Sequence, residues 1–199
     1  MSVLVAYASR YGATQGIAER IAQTLAENGQ PAEAQQVDAI SNLARYDAFV
    51  IGSAIYMFHW RNEAVRFVRR NRATLTGRPV WLFSSGPLGS ETADAAGRDV
   101  RTTAGPKEID ELMAATKARA HRVFFGAFNK SKLRGVNRAM ASAPGLRKLF
   151  LEGDFRDWPE IDAWAVSIAR VLAPPTEADK VAGRSIAPAV AALQPSRTR

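Results

Sequence analysis

Ser9-Arg10-Tyr11-Gly12-Ala13-Thr14 is the stretch whose residue types and spacing bear most directly on chemistry. It follows a short Val-rich run, Ser2 to Ala8, and opens Ala13 to Asn28, where Ile17, Ile21 and Leu25 recur at helical spacing. A loop that opens a helix presents unpaired N–H groups and a partial positive charge. Gly12 lets the backbone approach a bound group closely, Ser9 and Thr14 supply hydroxyl donors, and Arg10 adds formal charge. These are the parts of a phosphate cradle. The bland alternative is a plain capped helix with a glycine turn. The stretch is neither a G-x-x-x-x-G-K-[ST] loop nor a G-x-G-x-x-G turn.

Two further segments sit where chemistry is expected. Ser53 to Trp60 (SAIYMFHW) follows a buried strand and carries Tyr56, Phe58 and Trp60, an unusual density of aromatic rings for a solvent loop. Those rings suit either a ligand or packing under neighbouring loops and in a dimer contact. Ser84 to Leu88 (SSGPL) follows another buried strand, and Gly86 permits close backbone approach there. An ordinary Gly-Pro turn is its plain reading. His59 suits a structural role or a proton donor.

Composition removes other chemistries. There are no cysteines, so disulfides, thiolate metal sites and a cysteine nucleophile are excluded. With only His59 and His121, a multi-histidine metal centre is excluded in practice. The 27 basic residues outnumber 19 acidic ones, and the net charge of +8 points to an anionic partner. Nucleic acid is not expected, because no helix-turn-helix, RNP or zinc-finger pattern is present and the basic residues are spread over several elements. No apolar run reaches the roughly 18 residues a bilayer span needs. The chain begins in a strand pattern, so a cytoplasmic, unprocessed protein is expected.

The elements that must position these loops alternate. Buried strands are expected at Ser2 to Ala8, Asp47 to Gly52, Pro79 to Ser84 and Arg122 to Gly126, with a weaker, more polar one at Ala32 to Val37. Helices are expected at Ala13 to Asn28, Asn62 to Arg72, Lys107 to Arg119 and Pro159 to Leu172. Gly86 to Pro106 reads as a loop. The alternation implies an α/β fold, a doubly wound five-stranded parallel sheet in the order 2-1-3-4-5. Ligands of such sheets bind at the carboxyl ends of the strands, where all three loops fall. Residues 1–173 form the expected domain. Within it, Ala127 to Gly153 interrupts the last strand–helix step. From Ala127 to Leu151 that insertion is basic and apolar, with Lys130, Lys132, Arg134, Arg138, Arg147 and Lys148 and no acid. Its composition suits an anionic membrane surface, a lid over the site, or a packed loop with a basic rim. Residues 174–199 hold Pro174, Pro175, Pro188 and Pro195 and are expected to be a flexible tail.

The first loop resembles the flavodoxin T/S-x-T-G-x-T phosphate loop for FMN, with Ser9, Gly12 and Thr14 at matching positions. Tyr11 departs from the Thr or Asn of that pattern, although its backbone N–H can still donate. A wider resemblance runs through VIGSAIYMFHW, FVRRNRATLTGRPVWLFSSGP and the stretch from Gly126 to EGDFRDWPEIDAWAVSIARVLA. These are similar to the menaquinone-dependent protoporphyrinogen dehydrogenase branch of flavodoxin-like proteins, which has an insertion at the same place. The Asp157-Trp158 pair opening the last helix is a further match. The resemblance implies FMN held by Ser9, Arg10, Tyr11, Gly12, Ala13 and Thr14. It further implies ring contacts from Ala54, Ile55 and Tyr56, and backbone contacts from Ser84, Ser85, Gly86 and Pro87. It implies an oxidoreductase that passes electrons from a reduced donor, protoporphyrinogen or a related porphyrinogen, to a quinone. Two alternatives stay open: an electron carrier, against which the +8 charge argues because carrier flavodoxins are acidic, and an interaction module without FMN. A homodimer is compatible with each.

Overall fold

The Val-rich run at the start of the chain becomes β1 (Val3–Ala8), and all six of its residues are buried. A strand buried on both faces needs apolar residues throughout, which is why this run shows no alternation. The computed structural model describes residues 1–89, 91–129, 131 and 151–174. On one side β1 pairs in parallel with β2 (Ala32–Gln36), the more polar edge strand, and on the other with β3 (Ala48–Tyr56). After a two-residue β4 (His59–Trp60) come β5 (Val80–Ser85) and β6 (His121–Phe124), both parallel to β3. The sheet order is β2-β1-β3-β5-β6, with β4 antiparallel on the end of β3. Counting the five parallel strands, the order is the expected 2-1-3-4-5.

Helices cover both faces. On one, α1 (Ala13–Glu27) and the last helix pack over Val3, Val5, Val50, Phe83 and Phe124. On the other, α2 (Asn62–Arg70), α3 (Arg72–Thr76) and α5 (Ile109–Thr116) cover Leu4, Phe49, Ile51 and Leu82. Each fully buried Leu, Ile, Val or Phe stabilises this sandwich by about 1.5–3 kcal/mol. The last helix, α6 (Trp158–Leu172), is capped by Asp157, whose side chain accepts from the Glu160 N–H at 3.0 Å. Its Trp164 meets Phe124 and Phe83 edge-on, at 5.5 and 6.3 Å between ring centroids.

Several boundaries differ from the sequence expectation, the helix expected over Lys107 to Arg119 and the strand expected over Arg122 to Gly126 among them. The expected helix to Arg72 breaks at Asn71, whose side-chain amide donates to the Phe67 carbonyl and competes with the helix ladder. The loop after Gly86 contains a four-residue helix, α4 (Val100–Thr103), capped by Asp99 accepting from the Arg101 N–H. The third strand does not stop at Gly52 but runs on to Tyr56.

The insertion leaves and returns through a two-stranded neck, β7 (Ala127–Phe128) against β8 (Gly153–Asp154). Its basic residues Lys130, Lys132, Arg134, Arg138, Arg147 and Lys148 lie outside the described residues, as does the tail from Pro175 onward. Among the described residues, no helix is long and apolar enough to cross a membrane, and no group of three metal-ligating side chains occurs.

Candidate functional site

The first site segment joins β1 to α1. Gly12 is the N-cap of α1, with φ 92° and ψ −8°, a left-handed conformation that glycine adopts without strain. It gives the helix no side-chain cap, and the first turn holds no acidic residue. Ser9 braces the turn by accepting from the Gly12 N–H at 3.1 Å. A hydroxyl that accepts in this way still has its own proton to give. Thr14 is 1% exposed, and its Oγ1 is buried without a hydrogen-bond partner among the described residues. Leaving such a group unsatisfied costs about 1–3 kcal/mol. Arg10 is exposed and lies over the Tyr11 ring at 5.5 Å. An uncapped helix start, an unsatisfied buried hydroxyl and an adjacent cation together fit an anion.

The second and third segments meet it along the sheet edge. Register places Ala8 beside Ser53 and Ala54 beside Ser85, so the ends of β1, β3 and β5 adjoin. Ala54 and Ile55 are half-buried near the end of β3, and Tyr56 is 43% exposed. A Cβ at Gly86 would fall 2.8 Å from the Ile55 side chain, so glycine lets these two loops close on each other. The expected loop from Ser53 is instead a hairpin. Its turn residues, Met57 and Phe58, take φ of 50° and 63°, and both are exposed. Bulky residues rarely sit in that conformation, and here the Lys107 N–H donates to the Phe58 carbonyl at 2.9 Å.

Ser84 and Ser85 belong to β5 rather than to the loop after it, and both are buried. The Ser84 hydroxyl accepts from Trp60 Nε1 at 2.7 Å and lies 2.8 Å from His121 Nε2. Its side chain is therefore committed to the interior. The Gly86 N–H donates to the Phe124 carbonyl and the Pro87 carbonyl accepts from Gly126, so the expected free amide at Gly86 is used to hold β6. His59 is bonded through Nδ1 to Glu108, which favours the structural role. Burial pushes the Glu108 carboxyl up, but bonds from His59 and the backbone outweigh it and hold it below its ordinary value.

Sequence reasoning missed one wall of the site. A cleft of about 340 Å³ opens between Tyr11, Gly12 and Ala13 on one side and Phe128, Asp154 and Arg156 of the neck on the other. That volume lies within the range of small-molecule sites. Arg156 stands 143 positions from Ala13, so no local spacing could have paired them. A second cleft, of about 560 Å³, lies between Ile40 to Ala44 and Phe67 to Arg78, and no expected site residue lines it.

A family model described as the flavodoxin domain matches residues 4–144, about seven tenths of the chain. The chain belongs to the flavodoxin domain family. Solved structures agree on the fold. A flavodoxin from the domain Archaea aligns with a TM-score of 0.56 at 15% identity, covering 86% of this chain and 99% of that one. Oxidised flavodoxin 2 from Bacillus cereus aligns with a TM-score of 0.55 at 20% identity, covering 86% and 99%. Rubredoxin oxygen:oxidoreductase from Desulfovibrio gigas aligns with a TM-score of 0.55 at 13% identity, covering 86% of this chain but 36% of its own. No curated protein sequence matches the chain significantly. For this flavodoxin domain, membership implies FMN as the cofactor, and the uncapped α1 terminus with its unsatisfied Thr14 hydroxyl suits the phosphate of FMN.

Proposed function

We propose that this flavodoxin domain is an FMN-dependent oxidoreductase that passes electrons from a reduced small molecule to a quinone. The observation that carries the reading is the phosphate loop, with an unsatisfied buried Thr14 hydroxyl and a cleft beside it. Bound there, FMN supplies the redox chemistry. Ser9 and Thr14 hold its phosphate through their hydroxyl donors, with Arg10, Tyr11, Gly12 and Ala13 completing the loop. Ala54, Ile55 and Tyr56 form one side of the ring site. Ser85, Gly86 and Pro87 line the other side, with the Gly86 N–H and the Pro87 carbonyl tied to the end of β6, and Ser84 supports that loop from the interior.

Two features favour a small-molecule partner over a carrier's protein partner. Tyr56, Met57 and Phe58 expose apolar surface at the carboxyl end of the sheet, which suits a flat apolar molecule. The +8 charge suits an anionic donor and is the opposite of an acidic carrier surface. The donor is a porphyrinogen such as protoporphyrinogen, whose carboxylates pair with basic residues, and the acceptor is menaquinone. Residues 1–173 form the domain, 127–153 brings it to an anionic membrane, 174–199 is a tail, and nucleic acid is not a partner. The test is turnover of the FMN-loaded protein with a porphyrinogen and a soluble menaquinone analogue. Quinone reduction dependent on both supports the reading. FMN retention without such turnover, but with electron exchange to a redox protein, makes the chain a carrier. No FMN retention makes it an interaction module.

A further inference from the structure

Arg156 follows the neck of the insertion, yet it lies against the first turn of α1. Its Nη1 donates to the Ala13 carbonyl at 3.4 Å. Its Nε donates to Asp154 Oδ1 at 2.8 Å, and its Nη2 pairs with the other oxygen of that carboxylate. The guanidinium lies 4.4 Å from the centroid of the Trp158 ring. Gly16 makes room for this arrangement. A Cβ there would fall 2.5 Å from Nη1, so the guanidinium rests on bare helix backbone.

Three observations turn this packing into a binding argument. Arg156 lines the same cleft as Tyr11, Gly12 and Ala13, and with Glu152 and Asp154 also on that wall it is the cation that lines the cleft among the described residues. Its bonds to Ala13 and Asp154 use three of five N–H groups, which leaves two for a bound anion among the described residues. Its side chain is 16% exposed, whereas Arg10 is exposed. A charge shielded from water acts more strongly on a neighbouring anion than a solvated one does. The opposing carboxylate of Asp154 is half exposed and holds the guanidinium in place.

We propose that Arg156 is the residue that makes this site select FMN over the phosphate-free flavin, by adding a guanidinium to the phosphate loop from across the cleft. The assignment rests on the FMN reading of that loop. It is tested by titrating FMN and riboflavin separately into flavin-free protein and following flavin fluorescence. Wild type, Arg156→Gln, Arg156→Lys and Arg10→Gln are compared at low and high salt, with circular dichroism to establish folding. Arg156→Gln should weaken FMN about tenfold and leave riboflavin unchanged, since the lost bond is charge-assisted. Arg156→Lys should recover part of the loss, and Arg10→Gln should weaken FMN less than Arg156→Gln does, because the Arg10 charge is solvated. Gly16→Ala displaces the guanidinium without removing its charge, and it should weaken FMN severalfold even if Arg156→Gln fails to fold. Equal loss of both flavins in Arg156→Gln would make the residue a structural brace and overturn the proposal. No loss of either would overturn it too. Wild-type protein that binds both flavins equally, or neither, would overturn the phosphate-loop reading itself, and this assignment with it.

Discussion

Thr14 and Ser84 are both buried hydroxyls, one in the first turn of α1 and the other near the end of β5, yet their surroundings are opposite. Ser84 accepts from Trp60 and lies within bonding distance of His121. Because the indole N–H can only donate, the Ser84 proton is left for Nε2 of a neutral His121 ring. Burial is the main cause that depresses the His121 pKa to about 4, so the ring is neutral near pH 7. Thr14 has no such partner among the described residues, and it stands in a helix turn without a side-chain cap or an acid. A protein interior normally satisfies its polar groups. One satisfied hydroxyl therefore marks structure, and the one left unsatisfied at a helix start is where we propose the phosphate binds.

Substitution should separate the two. Thr14→Val should weaken FMN binding about ten- to a hundredfold, the worth of one hydrogen bond to a charged group at about 1.5–3 kcal/mol. The flavin-free protein should melt no lower than wild type, because no folded-state bond is lost. An equal fall in melting temperature would remove the contrast. Ser84→Ala should do the reverse, lowering stability by about 1–3 kcal/mol in urea unfolding because Trp60 and His121 lose their partner. The ratio of FMN to riboflavin affinity should stay unchanged. Gly12→Ala sharpens the comparison by straining the loop itself. At φ 92° a side chain should cost about 1–2 kcal/mol of stability and weaken FMN as well.

The last effect is that of pH. His121 has a folded pKa below its unfolded value of 6.5, so the unfolded state binds the proton more readily. Stability should therefore be complete above about pH 6.5 and fall as pH drops toward about 4. His121→Gln should flatten that slope in melting measurements, and an unchanged slope would show that other groups carry it.

Much of this contrast was legible in the sequence. The loop that opens α1 could be placed because a Val-rich strand precedes it and a regular Ile and Leu stripe follows. The Ser84 network could not, since Trp60, Ser84 and His121 are apart in sequence and meet only when β4, β5 and β6 are assembled. The extension of β3 was hidden for another reason. Beyond Ser53 the strand leaves the core, and apolar run length no longer reports it. The turn at Met57 and Phe58 lacks the Gly or Asn that would announce a left-handed backbone. Arg156 was invisible because its role depends on a contact across the whole fold. Only the bare backbone at Gly16 signals it, and a glycine inside a helix has many other readings.

The most direct measurement is the absorbance spectrum of purified protein after FMN is added and unbound flavin is removed by desalting, for wild type and Thr14→Val side by side. Wild type should retain the bands of oxidised flavin, and folded Thr14→Val should lose most of them. Folded wild type without retained flavin, or equal retention by both, would contradict the assignment of the phosphate loop.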